Sequence, residues 1–394
     1  MTGLMPLAQK VDSLLHRAVA DGDIPGVVAM ATNAENVVYQ GAFGKRALDN
    51  DQAMTLDTVV WLASMTKAIT GAAVMQLVEQ GRLDLDTPAS TWVSDLGSVQ
   101  VLEGFDSSGA PRTRPARRPI TLRHLLTHTA GYGYPIWNEA LARYYRVMNL
   151  PSTGSCEMAA LRIPLLFDPG ERWNYGINLE WAGKTVEAVS GKKLSAYLRE
   201  NLLDPLGMRD TAFKITPSMR ERLAKLHERD DDDALRAIEF EVPQEPETEM
   251  GGGGLYSTAG DYLKFVRMIL NRGRGESGRV LKPETVDLMS RNHIGELRVT
   301  MLKTVMPTRS NDVELFAGVP KTWGLSFMIN EKTAPTGRSP GSLSWAGLSN
   351  CYYWIDPSRQ LGGVYLTQIF PFGDRKALPL YLEFETAVYE SLVS

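Results

Sequence analysis

The sequence predicts an α+β fold: an antiparallel β-sheet flanked by helices, with an inserted, mostly helical lobe. Three observations predict it. Strand-like runs occupy both ends of the chain, as GVVAMATNAENVVYQGAFG at 26–44 and as TWGLSFMIN, SLSWAG, NCYYWID and LGGVYLTQIF toward the C-terminus. Between 86 and 244 the texture changes, and Pro-punctuated, Arg-rich loops alternate with short helical segments. Helical periodicity returns at the N-terminus, over 64–80 and over 375–393. Residues 1–85 and 245–394 are therefore expected to form an α/β domain around the sheet, and residues 86–244 an inserted helical domain.

Each element has its own signal. In MTGLMPLAQKVDSLLHRAVADGDIPG the apolar residues recur at helical spacing, and the basic start, apolar core and cleavage site of a signal peptide are missing. An amphipathic helix and a cytoplasmic protein are expected. Two strands then flank a polar turn at Asn33 to Asn36. TVVWLA reads as a strand leading directly into SMTKAITGAAVMQLVEQ, an amphipathic helix that stops at Gly81. PRTRPARRP at 111–119 reads as a loop, and TLRHLLTH and LEWAGKTVEAVSG as helices. The acidic run Asp230 to Asp233 and the segment EVPQEPETE read as an exposed connection. GGGG at 251–254 reads as flexible backbone near a site or hinge, a solvated loop being the plainer alternative. DPSRQ at 356–360 supplies a turn between the last strands.

Composition narrows the function. The 394 residues are 43% apolar, enough for a sizeable core, and carry 42 basic and 46 acidic side chains, well mixed, for a net charge of -4. Neither a nucleic acid nor a membrane surface is the expected partner, and a small uncharged or weakly charged molecule fits better. No apolar run is long enough to span a bilayer. Cys156 and Cys351 are too few for a disulfide framework, in keeping with a reducing compartment. There is no P-loop and no G-x-G-x-x-G after a strand, which argues against nucleotide binding. His124 and His128 are spaced i, i+4 as metal ligands on a helix can be, but no third ligand accompanies them, and no metal is expected.

The candidate chemistry lies in WLASMTKAIT. A serine hydroxyl needs a base to become a nucleophile at neutral pH, and Ser64 and Lys67, at i and i+3, share one face of a helical turn. A helix N-terminus would also offer backbone N–H groups to an oxyanion. The competing reading is that Ser64 simply caps the helix. A second S-x-x-K, Ser190 to Lys193, sits at a helix end with Gly191 inside it and is read as a C-cap turn. Tyr175, after the Pro169-Gly170 turn and before a helix, is the best candidate for a second base. Tyr132, Tyr134, Trp137, Tyr144, Tyr145 and Trp173 either line a pocket or pack the helical lobe.

Several stretches then fall into one register: LASMTKAITGAAVMQLVEQGRLDLDTP, ITLRHLLTHTAGYG, FDPGERWNYGINLEWAGKTVEAVSGKKLSAYLRENLLDPLGM and GGGGLYSTAGDYLKF. Their order and spacing resemble the serine β-lactamase and penicillin-binding-protein-like superfamily, class C members in particular, over nearly the whole chain. The resemblance implies a class C β-lactamase or DD-peptidase-like fold, Ser64 as acyl-enzyme nucleophile, Lys67 as its base or proton relay, and Tyr175 as second base. The family's Lys-Thr-Gly is replaced by Trp345-Ala346-Gly347, a W-x-G element that resembles family VIII carboxylesterases and related acyltransferases. It implies an oxyanion hole from the backbone N–H groups of Ser64 and Leu348. In Tyr175-Gly176-Ile177-Asn178, Ile177 stands where the family's Y-x-N has asparagine, and Asn178 is expected to cap the following helix. Trp345, Gly347, Ile177 and Tyr134 are expected in the substrate pocket. The implied activity is a cofactor-free carboxylesterase acting on small esters, with acyl transfer from the same acyl-enzyme, or hydrolysis of β-lactams or D-alanyl peptides, as alternatives.

Overall fold

The computed structural model describes residues 6–392, so the expectations for residues 1–5 and 393 lie outside the described residues. The first hairpin forms as its alternation demands: β1 (Gly26–Asn33) and β2 (Val37–Gly44) pair antiparallel around the Asn33 to Asn36 turn. Five C-terminal strands complete the sheet: β3 (Lys321–Trp323), β4 (Met328–Asn330), β5 (Leu343–Gly347), β6 (Cys351–Asp356) and β7 (Leu361–Leu366). The order is β3-β4-β5-β6-β7-β1-β2, antiparallel throughout, so that β1 pairs with β7 and the two ends of the chain close one sheet.

Helices α1 (Leu7–Ala20), α2 (Thr66–Glu79), α3 (Asn178–Ser190), α4 (Ala259–Leu270) and α5 (Ala377–Leu392) include the longest among the described residues. Strand β6 shows how they cover the sheet. Its side chains alternate, so Tyr352 and Trp354 meet Tyr381 of α5 while Tyr353 between them meets Tyr262 of α4. Both faces are buried, which explains why β6 and β7 read as continuous apolar runs. No helix among the described residues is long and apolar enough to cross a membrane.

Several expectations are corrected in detail. TWGLSFMIN is a tight hairpin rather than one strand, because the chain reverses at Gly324 to Phe327, with Ser326 at a φ of +78°. LGGVYLTQIF is likewise broken, and its last part, Ile369–Phe370, leaves the sheet to pair in parallel with Leu226–Arg229. Pro111–Pro115 is a strand paired with Gln100–Phe105, not a loop; its prolines stand at its two ends, where a two-strand ribbon loses little, and Arg114 forks onto the buried Asp168. The acidic run is exposed as expected, but it is the turn of a hairpin between Leu226–Arg229 and Leu235–Ile238. Helix α2 is not amphipathic. It is buried on every side from Thr66 to Leu77, and one of the elements that covers it is α3, along which it packs.

The last helix is fastened to the sheet by a buried ion pair. Arg338, in the connection between β4 and β5, bonds Glu385 through two nitrogens, and one of these also reaches the Tyr381 hydroxyl at 2.8 Å. Both charged side chains are fully buried. Removing one member leaves an uncompensated charge, so Arg338→Met should destabilise the protein by about 3–5 kcal/mol, read as a lower urea midpoint. Arg338→Met combined with Glu385→Leu should recover most of that loss, because no lone charge then remains inside.

Candidate active site

The nucleophile turn begins where a short strand, Val60–Trp61, pairs with Tyr256–Ser257. Leu62 N–H then bonds the Leu255 carbonyl at 2.9 Å, and Ala63 takes a φ of +46°, in the left-handed region that costs a β-carbon about 1–2 kcal/mol. Side-chain to backbone bonds fasten the residues that follow: the Tyr262 hydroxyl donates to Met65 O at 3.0 Å, and Leu255 N–H to Thr66 Oγ1 at 3.2 Å. Ala63–Met65 form a 3-10 turn, and α2 starts only at Thr66, two residues later than expected. Ser64 is left partly exposed between buried neighbours. Its side chain caps neither the turn nor α2, which disposes of the capping alternative. The decoy behaves as a helix end: Gly191 is the left-handed C-cap, and Ser190 Oγ accepts from Lys192 N–H.

Lys67 is 1% exposed, and its Nζ donates to three oxygens: Ser64 Oγ at 3.1 Å, Tyr134 Oη at 3.1 Å and the Gly252 carbonyl at 2.6 Å. Three acceptors saturate the three N–H bonds of an ammonium. The nitrogen also lies 4.9 Å from the Tyr175 ring centre and 5.2 Å from that of Tyr134. The glycine run is thus part of the site rather than a solvated loop. Successive carbonyls of Gly251, Gly252 and Gly253 accept from Thr70, Lys67 and Trp61.

Tyr134, expected only as a pocket residue, also belongs to this network, and it leads to a residue that sequence reasoning missed. Its hydroxyl donates to Glu180 Oε1 at 3.0 Å. Glu180 is 3% exposed in the first turn of α3. Burial raises its carboxyl above the usual range, opposed by the Lys67 charge, the Tyr134 hydroxyl and the Gly252 amide. Burial, and then the neighbouring Glu180, push the Tyr134 phenol well up. The available signal was a carboxylate set between Leu179 and Trp181 in a stretch read as a helix.

Tyr175 is buried among rings, with Trp345 and His128 centred 4.8 Å away and Trp137 and Tyr134 at 5.4 Å. Its hydroxyl accepts the Trp345 indole N–H at 3.0 Å. Trp345 therefore spends its one donor on Tyr175 instead of forming an open pocket wall. Gly347 is a point of close approach: a β-carbon there would stand 2.3 Å from the Leu62 carbonyl. With Ser349 Oγ donating to Trp61 O at 3.1 Å, the end of β5 is stitched to the nucleophile turn, and Leu348 lies between the two contacts. Ile177 is fully buried and does not line the cleft. Asn178 opens α3 without capping it, since its amide goes to His128 Nδ1 at 2.8 Å.

His128 is enclosed, and burial together with the Lys67 charge holds its imidazole well below the ordinary range, hence neutral. His124 instead closes a capping box with Thr121, and burial lowers it to about 4. No group of three or more His, Cys, Asp or Glu among the described residues is placed to hold a metal ion. Of the aromatic set, Tyr134, Trp137 and Trp173 line a narrow cleft beside Tyr175, of about 40 Å³, whereas Tyr132 stacks on Trp181, Tyr145 bonds Ala160 O, and Tyr144 packs on the core. The cleft shares Asn138, Trp173, Asn174 and Thr300 with an adjoining groove of about 600 Å³.

Comparison with known proteins places this geometry. Monacolin J acid methylbutanoyltransferase of Aspergillus terreus is 34% identical over 96% of this chain and 95% of its own length. Lovastatin esterase of Penicillium rubens is 32% identical over 90% of this chain and 91% of its own. The structure of unliganded simvastatin synthase from Aspergillus terreus superposes with a TM-score of 0.85 at 33% identity, covering 96% of this chain and 97% of that one. The model of the beta-lactamase family matches residues 11–387, so the protein belongs to that family and is an enzyme of its serine hydrolase and acyltransferase kind.

Proposed function

We propose that the protein is an acyltransferase that loads an acyl group onto Ser64 and passes it to the hydroxyl of a second substrate. This reverses the order expected from sequence, where hydrolysis of small esters came first and transfer second. The observation that carries the reading is the cleft lined by Tyr175, which shares a wall with a groove of about 600 Å³ and so leaves room for an acceptor on the Tyr175 side of the site. Similarity to a methylbutanoyltransferase across nearly the full length supports it. Similarity to lovastatin esterase keeps hydrolysis as the second reading, with water in place of the alcohol.

Ser64 Oγ attacks the acyl carbonyl while its proton passes to Lys67 Nζ, the base within hydrogen-bond reach at 3.1 Å. The oxyanion is met by the backbone N–H groups of Ser64 and Leu348, a pairing supported by the close approach of Gly347 to the Leu62 carbonyl. Tyr175 Oη exchanges the proton with the leaving group and later with the acceptor. Charge that develops on it meets the Trp345 N–H and the Lys67 ammonium beneath its ring. The aromatic walls hinder water from reaching the acyl-enzyme and favour a bound alcohol. A Trp-Ala-Gly element lacks the cation and hydroxyl that would bind a β-lactam carboxylate, which supports an ester over an antibiotic as substrate. Both cysteines are buried and unpaired, which supports the cytoplasmic location expected from sequence.

Mixing the protein with p-nitrophenyl butanoate and a panel of alcohols headed by monacolin J acid should give the butanoyl ester faster than free butanoate. Ser64→Ala should reduce both products by about 10³-fold or more. Free butanoate as the sole product at every acceptor concentration would replace transfer by hydrolysis. Trp345→Phe deletes the donor to Tyr175 while keeping a ring in place, so kcat should fall by about 10- to 100-fold with KM little changed. Steady-state kinetics on the same ester checks this, and an unchanged kcat would remove Trp345 from the proton path.

A further inference from the structure

We propose that Glu180, acting through Tyr134, receives the proton that leaves Lys67 neutral and so able to take the proton of Ser64. The proposal rests on the acyl-enzyme reading above. It makes Glu180 a positioning residue of that reaction, three hydrogen bonds from the nucleophile.

The hydrogen bonds form one unbroken line: Glu180 Oε1 to Tyr134 Oη at 3.0 Å, Tyr134 Oη to Lys67 Nζ at 3.1 Å, and Lys67 Nζ to Ser64 Oγ at 3.1 Å. A lysine whose three N–H bonds are all committed to oxygen acceptors cannot accept a proton, so the base must first be emptied. The other carboxyl oxygen, Oε2, is buried with no side-chain donor, and the Gly252 amide is the one further donor beside the carboxyl. Oε2 lies so close to Gly252 that a β-carbon there would stand 2.0 Å away. The same glycine thus makes room for Glu180 and supplies the carbonyl that binds Lys67. A carboxylate with so little solvation is costly, and its neutral acid is favoured. Burial acts on the group in that direction.

The groups that face it are Lys67 from α2, Tyr134 and Tyr145 from the segment ahead of α3, and Cys156; Tyr175 lies beyond Tyr134. Lys67 is the cation among them, and His128, near Lys67, is neutral. The transfer balances without solvent. One proton moves from Lys67 Nζ to Tyr134 Oη as the Tyr134 proton moves to Glu180 Oε1. Ammonium and carboxylate become amine and carboxylic acid. The amine then accepts the Ser64 proton while Oγ forms its bond to the carbonyl carbon, and the reverse sequence restores the pair when the acyl group leaves.

The test is kcat/KM against pH with p-nitrophenyl butanoate for wild type, Glu180→Gln, Glu180→Asp and Tyr134→Phe. In the wild type the amine forms by internal transfer, so activity holds down to the pH at which the carboxylate itself is protonated. In Glu180→Gln the lysine can lose its proton only to solvent. The acid limb should then rise by about one pH unit or more, with activity at pH 6 falling about tenfold further than at pH 9, and KM should stay near wild type. Tyr134→Phe, which cuts the line in the middle, should shift the limb likewise, and Glu180→Asp should keep it near its wild-type place at a lower plateau. A loss of equal factor at every pH, with the limb unmoved in Glu180→Gln and Tyr134→Phe, would overturn the proposal. If Glu180→Gln fails to fold, judged by near-ultraviolet circular dichroism, Tyr134→Phe decides alone. Wild-type turnover that survives Ser64→Ala would instead bring down the acyl-enzyme reading, and the relay with it.

Discussion

The site depends on one buried lysine. Lys67 is removed from water and compensated almost wholly by oxygens of other segments: the nucleophile turn, the Tyr134 loop and the Gly251 to Gly253 backbone. A charge so placed tolerates little displacement, because losing one acceptor inside a protein costs far more than losing it in water. The segments that bind it must be brought together by the fold, and the sheet does this. Its two halves come from opposite ends of the chain, so the nucleophile turn after the first hairpin is carried to the end of β5.

Around the lysine, aromatic packing serves two tasks. Trp345 and His128 enclose Tyr175 from within and fix its ring, while Trp137 and Trp173 extend into the cleft. Tyr134 and Tyr175 stand in both sets, since each lines the cleft and each contacts Lys67, so a change in either alters the cleft and the surroundings of the lysine together.

Much of this was legible in the sequence because it rests on local rules. The strand, turn and helix around Ser64, the Gly191 stop behind the decoy and the apolar run of β6 each follow from residues close together along the chain. What escaped was non-local. Ser326 reversing a strand, a helix buried on all sides, and Tyr134 meeting both Lys67 and Glu180 depend on partners up to scores of residues away. Glu180 was hidden because a lone glutamate on a helix is usually solvated. Asn178 looked like a cap because asparagine usually is one, and only the enclosed imidazole of His128 claims its amide.

The glycine run has a consequence for how the enzyme can vary. Three adjacent peptide carbonyls hold Thr70, Lys67 and Trp61, so one of the three acceptors of Lys67 Nζ is a main-chain atom that no side-chain exchange alters. What matters there is count and bulk. Removing one residue would offset every pairing along the run by one place, and adding a methyl at Gly252 would collide with the carboxyl of Glu180. The segment works as a spacer of fixed length, matching three successive carbonyls to the strand end at Trp61 and to Lys67 and Thr70 of α2.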